Sequence, residues 1–338
     1  MPANASTIRA SRGLELTLER LNHNVVELAL PGVAENLLAS MVFFADALLI
    51  GWLRDDHALA AVGLSGTFMN IFQAIFQALS VSATAMVAQL CGARDEERAA
   101  RVAAQAVSLS FVVALAVSVL FWALAPALLG LMGSSAETRR QGALYMRLVL
   151  LTSFAGYPMT VLNGIMRGSG DTRTPMRVTA IMNVWNIVAA AALIFGPGPL
   201  PALGIAGAGV ATASARLLGG ILALLALYRG RTLLHIRPRQ FLRWDGAIVR
   251  AIVRMSLPTA GEAAVRQTGS LLFRRIVASL GDVALAAHQI ALNIESLSFM
   301  PGAGMGVART TLVGQSLGAG KRDLARKSVG RVVTFAAA

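Results

Sequence analysis

The chain has 338 residues, of which 56% are apolar and 14% are charged, and its mean hydropathy is +0.64. A soluble protein of this length needs more polar surface to cover itself, so the composition predicts that most of the surface faces lipid. The formal net charge is +13. Because the Lys and Arg residues lie mainly between apolar stretches, we interpret them as basic loops and not as a nucleic-acid-binding face.

Eight apolar segments are long enough to cross a membrane as helices, since about 20 residues are needed for roughly 30 Å of hydrocarbon. In chain order they are 26–52, 62–91, 103–131, 144–166, 176–195, 204–228, 248–279 and 283–317, and a ninth begins near residue 328. We therefore predict an all-α polytopic membrane protein. Residues 1–22 show no apolar core followed by a cleavage site, so no cleaved signal peptide is predicted.

Positive charge alternates between the connecting loops. Basic residues cluster before the first span and after the second, fourth, sixth and eighth spans, while the other loops carry few. Because cytoplasmic loops of membrane proteins are enriched in Lys and Arg, this alternation predicts a cytoplasmic N-terminus, and we expect a cell (inner) membrane location.

Three short segments of the chain occur twice. The pairs are Leu30-Pro31…Glu35 with Leu257-Pro258…Glu262, Ala58–Ala61 with Ala284–Ala287, and Gln89–Ala93 with Gln315–Ala319. Six predicted spans separate the copies, so both copies enter the membrane in the same direction. This predicts two parallel-repeat lobes related by an axis along the membrane normal.

The repeat gives four predicted regions. Residues 1–24 form a cytoplasmic segment, 25–228 a first lobe of six helices, 229–247 a basic cytoplasmic linker, and 248–338 a partial second lobe. From the length of the first lobe, we expect the second to be truncated after about 2.5 helices and the chain to be C-terminally incomplete.

Two acidic residues lie at membrane depth in the first span. Charge there costs roughly 2.5–3.5 kcal/mol per residue on insertion scales, so the presence of Glu35 and Asp46 requires a functional or structural explanation. They are three helical turns apart on one face, about 16 Å, which suggests a cation or proton path. The alternative is that a neighbouring hydroxyl or arginine satisfies each acid. Only Glu35 has a repeat counterpart, which favours a specific role for Asp46.

The predicted second lobe contains further charged residues. Glu262 and Arg266 have the i, i+4 spacing that allows them to pair. Glu295 has no partner visible in the sequence and is a candidate site for substrate. Arg216 and Arg309 are interpreted as internal counter-charges or side chains that reach the interface.

Three prolines are candidate hinges. Pro31 and Pro258 open the two repeats, and Pro301 lies in the glycine-rich run 299–306. That run is expected to break or bend its helix. Its glycines are equally compatible with a hinge and with close packing against a neighbouring helix.

No catalytic or metal-binding pattern stands out. Cys91 is the single cysteine, and the four histidines lack ligand spacing. We therefore expect neither an enzyme nor a protein with a cofactor or bound transition metal.

Taken together, several motifs make the chain resemble the multidrug and toxic compound extrusion (MATE) family. They are Pro31 with Asp46 and Gly51, Ala58–Gly63, Arg167–Pro175, Asn186 with Ile194–Gly196, Gly204–Thr212, Leu257-Pro258 and Ala284–Gln289. The resemblance covers about residues 25–338 and implies a twelve-helix, two-lobed antiporter.

The resemblance also implies roles for single residues. Asp46 falls on the family's aspartate that binds the coupling cation, H⁺ or Na⁺, and Asn186 and Thr212 match polar members of the same cluster. Glu262 matches the family's seventh-helix acid approximately. Ala190 stands where some relatives have a second aspartate, which puts a two-aspartate site in doubt.

The resulting hypothesis is export of small cationic amphipathic compounds in exchange for H⁺ or Na⁺ by alternating access. We expect the lipid bilayer as surroundings, no nucleic-acid partner, and a monomer if the chain is full length. One alternative is a flippase of lipid-linked precursors, which predicts a basic central cavity lined by Arg216, Arg266 and Arg309. The other is a truncated, non-transporting membrane protein.

Overall fold

The computed structural model describes residues 14–53, 55–132, 135–196, 202–228, 240–241, 244–278 and 282–337. The regular elements within these ranges are all helices, which confirms the predicted all-α class. In chain order they are α1 (Leu21–Gly51), α2 (Asp56–Gly92), α3 (Glu96–Leu131), α4 (Ala136–Leu151), α5 (Ser153–Gly156), α6 (Pro158–Gly168), α7 (Arg173–Phe195), α8 (Ile205–Tyr228), α9 (Gly246–Ala278), α10 (Asp282–Gly318) and α11 (Arg322–Ala337).

Six of the eight predicted spans are long and apolar enough to cross a membrane. Among the described residues, α1, α2, α3, α7 and α8 qualify alone, and the sixth is the bent segment formed by α4, α5 and α6. The helices α9 and α10 have 33 and 37 residues, which is ample length, but they are not among the apolar spans. Their membrane crossing stays a prediction.

Side chains at loop ends begin several helices. The Asp55 carboxylate accepts hydrogen bonds from the backbone N–H groups of His57 and Ala58 at 2.9 and 3.2 Å. Asp95 and Ser135 cap α3 and α4 in the same way. Such caps satisfy N–H groups that have no partner inside the helix, so each turn fixes where the next span starts.

Two buried apolar clusters hold the bundle together. The larger one joins residues of α2, α3, α4, α6, α7 and α8 with the last turn of α1 and with Ile252 of α9. The smaller one joins the first half of α1, including Val25 and Leu28, to Ala308 and Leu312 of α10 and to α11. The predicted lobe boundaries stay a prediction, because α1 packs with helices assigned to both lobes.

Contacts between loops define the two ends of the bundle. At what we call the near end, Lys321 donates a hydrogen bond to the carbonyl of Leu16 at 2.9 Å. The start of α1 and the end of α10 therefore lie there, together with the ends of α2 and α6, because Gln315 of α10 contacts Gly92 and Gly168. At the far end, Gln141 donates to Asp55 at 3.2 Å, which brings together the starts of α2 and α4.

The repeated segments meet each other at the near end. Both α2 and α10 have 37 residues, and they end at the equivalent glycines Gly92 and Gly318. A Cβ atom on Gly92 would collide with the Gln315 carbonyl, and one on Gly318 would collide with the Gln89 carbonyl. Such a reciprocal contact is expected where a rotation axis relates two copies of a repeat.

The expected break within residues 299–306 is absent, because α10 is helical without interruption through this run, and the expected bend stays a prediction. Close packing explains one of its glycines instead: a Cβ atom on Gly304 would lie 2.5 Å from the backbone nitrogen of Val33 on α1. The side chain of Pro301 lies outside the described atoms.

Candidate functional site

A break in the fourth span shapes the middle of the bundle. Residues 136–151 and 153–168 are bent by 51° relative to each other, and the Thr152 hydroxyl donates a hydrogen bond to the Ala213 carbonyl of α8 at 2.9 Å. A Cβ atom on Gly156 would lie 2.7 Å from the Cβ atom of Arg216. The break therefore lets α8 pack closely against the fourth span, and Arg216 lies at this contact.

Tyr157, at the same break, is the centre of an aromatic cluster. Its ring centroid is 4.1 Å from that of Phe72 and 5.2 Å from that of Phe76, and only 2% of the residue is exposed. The guanidinium carbon of Arg216 lies 4.7 Å from the Tyr157 ring centroid. A cation over an aromatic face contributes about 0.5–2 kcal/mol, so the cluster holds a positive charge inside the bundle.

Asp46 of α1 lies within electrostatic range of this positive charge. Its carboxylate interacts electrostatically with Arg216 of α8 and with the hydroxyl of Tyr145 on α4, which in turn interacts with Thr212. A negative and a positive charge within the bundle offset much of each other's desolvation cost. The sequence proposed Arg216 as an internal counter-charge, and the structure places Asp46 within electrostatic range of it, although the two form no direct ion pair among those of the described residues.

Asn186 and Thr212 lie in the same cluster. The Asn186 amide donates a hydrogen bond to the Thr212 hydroxyl at 3.5 Å, and both residues are buried. The side-chain oxygen of Asn186 and Nη1 of Arg216 are buried without a hydrogen-bond partner. Since buried polar atoms are normally paired, the Asn186 oxygen marks a place for a donor such as water or for a cation, and the Arg216 nitrogen marks a place for an acceptor such as a water oxygen.

The oxygen atoms available to a metal cation at this place are few. They come from the single carboxylate of Asp46, the free oxygen of Asn186 and the hydroxyl of Thr212. Ala190, where a second acid would strengthen such a site, is buried and apolar. Among the described residues, no group of three or more His, Cys, Asp or Glu side chains could hold a metal ion.

Glu35, the other acid of α1, belongs to a different cluster. Its carboxylate forms an ion pair with Nη1 of Arg167 at 3.1 Å and accepts a hydrogen bond from Asn163 at 3.2 Å. Both partners lie on α6, toward the near end. The alternative weighed for Glu35, satisfaction by an arginine, is therefore what the structure has, and Glu35 and Asp46 do not share one site.

The acids of the predicted second lobe are exposed. Glu262 pairs with Arg266 at 3.2 Å, with side-chain exposures of 73% and 72%, as their spacing predicted. Glu295 is also exposed. Exposed pairs contribute only about 0–1 kcal/mol, so neither carboxylate is held in a fixed internal partnership.

Neither described proline hinge interrupts its helix. Pro31 is buried within α1 and Pro258 is exposed within α9. Proline has no N–H to donate, so each leaves one carbonyl of the preceding turn free and weakens the helix locally.

The residues 167–175 that carry part of the family resemblance form a tight turn between α6 and α7. A Cβ atom on Gly168 would lie 2.6 Å from the Thr84 carbonyl, and Gly170 has a φ of +98°. Asp171 accepts a hydrogen bond from the backbone N–H of Thr174 at 2.9 Å. The glycines and the aspartate are thus required by the local backbone.

The three arginines proposed to line a basic cavity do not converge. Arg216 lies against Tyr157, and Arg266 pairs with Glu262. Arg309 lines an open, mostly apolar cleft of about 410 Å³ between α2, α10 and α11.

The sequence analysis missed Tyr145, Tyr157 and the break beside them. The segment Gly156-Tyr157-Pro158 was the available indication, because glycine and proline together disfavour a straight helix. A proline that begins a helix, as Pro158 begins α6, marks the resumption of the span.

Comparison with known proteins gives consistent family matches. The model of the MatE family matches residues 31–192 and 258–338. A probable multidrug resistance protein NorM of Thermotoga maritima is 34% identical over 314 residues, covering 90% of this chain and 65% of that protein. Multidrug resistance protein PmpM of Pseudomonas aeruginosa is 29% identical over 334 residues, covering 97% and 68%.

Solved structures resemble the whole described bundle. A transporter of the MOP superfamily from Pyrococcus furiosus superposes with a TM-score of 0.84 at 24% identity, covering 99% of this chain and 72% of that one. An outward-facing multidrug resistance MATE family transporter gives the same TM-score, identity and coverage. The chain thus spans less than two thirds of the length of the first relatives, 65% and 61%.

Proposed function

The chain belongs to the MatE (MATE) family of multi-pass membrane transporters, and from this premise we propose that the full-length protein is a multidrug efflux antiporter. It exports small cationic amphipathic compounds in exchange for H⁺ or Na⁺. The proposal includes a cytoplasmic N-terminus in the cell (inner) membrane and a monomeric protein.

One observation supports the proposal: Asp46 of α1 lies within electrostatic range of Arg216 on α8 and of Tyr145 on α4, which in turn interacts with Thr212, the partner of Asn186. With Asp46 ionised, the charges of Asp46 and Arg216 cancel. When H⁺ or Na⁺ occupies the carboxylate, the charge of Arg216 is no longer cancelled, and a cationic compound in the adjoining space is repelled. By linkage, the compound must weaken binding of the coupling ion equally, and this competition is the basis of antiport.

Movement of the two lobes supplies the second part of the mechanism. The described contacts of α10 with α2 and α6 lie toward the near end, where positive loops predict the cytoplasm. This arrangement is expected for a state closed to the cytoplasm. We propose that ion binding at Asp46 shifts the balance between this state and its opposite, with Pro31, Pro258 and Pro301 absorbing the change in helix shape.

Glu262 and Glu295 are proposed to attract the cationic compound, because both are exposed and neither is fixed in a buried ion pair. The flippase alternative is less well supported, since the arginines it needs do not converge among the described residues. A non-transporting protein remains the alternative that the transport assay addresses.

The test measures exchange in everted membrane vesicles that contain the full-length protein and hold a proton or a sodium gradient. Adding a cationic dye such as ethidium should dissipate the gradient of the coupling ion, and Asp46→Asn should abolish this while protein yield and thermal stability persist. Glu27→Gln is the matched control, because Glu27 is an acid of the same helix that pairs externally with Arg173 at 3.0 Å. Unchanged exchange in Asp46→Asn would remove Asp46 from the mechanism, and no exchange in the unmodified protein would refute the antiport.

A further inference from the structure

The last turn of α6 is bound from the opposite lobe by two buried side chains of α10. The Thr311 hydroxyl donates a hydrogen bond to the Arg167 carbonyl at 2.9 Å, and the Gln315 amide donates to the Gly168 carbonyl at 3.0 Å. The last carbonyls of a helix have no partner within the helix. The Arg167 carbonyl also accepts a hydrogen bond from the backbone N–H of Gly170 at 2.9 Å, whereas the described partner of the Gly168 carbonyl is Gln315 of α10. Satisfaction of the Gly168 carbonyl by protein therefore depends on α10 resting on α6, and the Thr311 bond adds to the local one at Arg167.

Glycines bring the two backbones close enough for these bonds. Gly92 of α2 lies directly against the Gln315 carbonyl, and Gly318 lies against the Gln89 carbonyl. A side chain at either glycine would push α10 away from α2. Because Gln315 takes part in both contacts, the approach of α10 to α2 and its bond to Gly168 form together.

The same turn of α6 is fixed from its other side by Glu35. The Arg167 side chain pairs with Glu35 of α1 at 3.1 Å, and Asn163, one turn earlier, binds the second oxygen of that carboxylate at 3.2 Å. The two charged side chains are only 15% and 11% exposed. Removing charges from water is costly, and such pairs often contribute little net stability. A geometric role accounts for this pair better than a stabilising one.

We propose that Glu35 and Arg167 are positioning residues for lobe movement: their ion pair orients the last turn of α6 so that Thr311 and Gln315 can bind its carbonyls and close the near end. This inference rests on the proposed transport by alternating access. It assigns to Glu35 a task distinct from that of Asp46. In the opposite state water replaces both donors, so each bond shifts the ratio of closed to open molecules by only about fivefold, which keeps the closure reversible.

The experiment reports closure without requiring transport. Ser82 of α2 and Ser256 of α9 lie 3.0 Å apart, oxygen to oxygen, and both are buried. Ser82→Cys with Ser256→Cys, in a Cys91→Ser background of the full-length protein, cross-links under mild oxidation at a rate that follows the closed population. Thr311→Val, Gln315→Leu and Glu35→Gln should each slow cross-linking, by up to about fivefold where the closed state is the less populated one. Glu27→Gln, which removes an exposed pair of the same helix, should leave the rate unchanged.

A double-mutant cycle separates positioning from general stability. If Glu35 acts through the α6 turn, Glu35→Gln combined with Thr311→Val should slow cross-linking by less than the product of the single effects. The proposal would be overturned if the double variant slowed cross-linking by the full product of the two single effects, or if Glu35→Gln left the rate unchanged. If Glu35→Gln fails to fold, the single variants Thr311→Val and Gln315→Leu still test the proposal. Unchanged cross-linking rates in both of these variants would also overturn it. A protein that exchanges no ions still gives these rates, so the two proposals fail independently.

Discussion

A disulfide between α2 and α9 should arrest transport in proportion to its formation. Ser82 and Ser256 are the described polar pair joining these two helices, with their hydroxyl oxygens 3.0 Å apart. A disulfide needs a sulfur separation of about 2.0 Å, so the atoms must approach by about 1 Å, and the longer carbon–sulfur bonds provide part of this. We expect the double cysteine variant to cross-link without backbone rearrangement.

The expected loss of function is quantitative. If the contact must open in every cycle, the exchange that remains after oxidation should equal the fraction of protein that is not cross-linked, and reduction should restore the rest. Dye-driven exchange in vesicles gives the activity, and non-reducing electrophoresis gives the fraction. The two single cysteine variants, treated identically, are the controls. Full exchange by cross-linked protein would refute the reasoning that α2 and α9 separate during transport.

Two further predictions concern stability. Tyr157→Ala should destabilise the protein by about 3–5 kcal/mol, because it removes a buried ring that packs on Phe72 and Arg216. Tyr157→Phe should cost far less. Tyr228→Ala, at an exposed position, is the control and should leave the melting temperature in detergent nearly unchanged. A large effect at Tyr228 or none at Tyr157 would contradict this account of the aromatic cluster. Asp55→Ala should cost about 0.5–2 kcal/mol by removing the cap of α2. Hydrogen bonds from Ala58 and Gln141 to the charged form lower the pKa of the Asp55 carboxyl, so this contribution is fully present above the usual pKa of aspartate and is lost as pH falls through the lowered one. The difference in melting temperature between the unmodified protein and Asp55→Ala should therefore shrink below about pH 4. A difference that does not depend on pH would show that the Asp55 side chain stabilises α2 without its charge.

The helices and their approximate limits follow from the sequence because a bilayer leaves the chain few options. A segment in hydrocarbon must satisfy its own backbone groups and must be about 20 apolar residues long, and both conditions can be evaluated along the chain. The helices α2 and α10 both have 37 residues, in keeping with the equal interval from Ala58 to Gly92 and from Ala284 to Gly318, whereas the predicted spans 62–91 and 283–317 differed in length. Asp46, Asn186 and Thr212 were identified together through the family resemblance.

Tertiary structure decided which charge faces which. Helical periodicity places Glu35 and Asp46 on one face of α1, but it does not specify the helix that covers each part of that face. Glu35 pairs with Arg167, 132 residues away, and Asp46 comes within electrostatic range of Arg216. The break at residues 152–156 lets α8 approach the middle of the bundle while α6 continues toward the near end. The sequence determined that acids lie within an apolar, membrane-length helix; the packing of α6 and α8 decided that Glu35 pairs with Arg167 and Asn163, while Asp46 forms no such pair within the described part of the chain and lies within electrostatic range of Arg216.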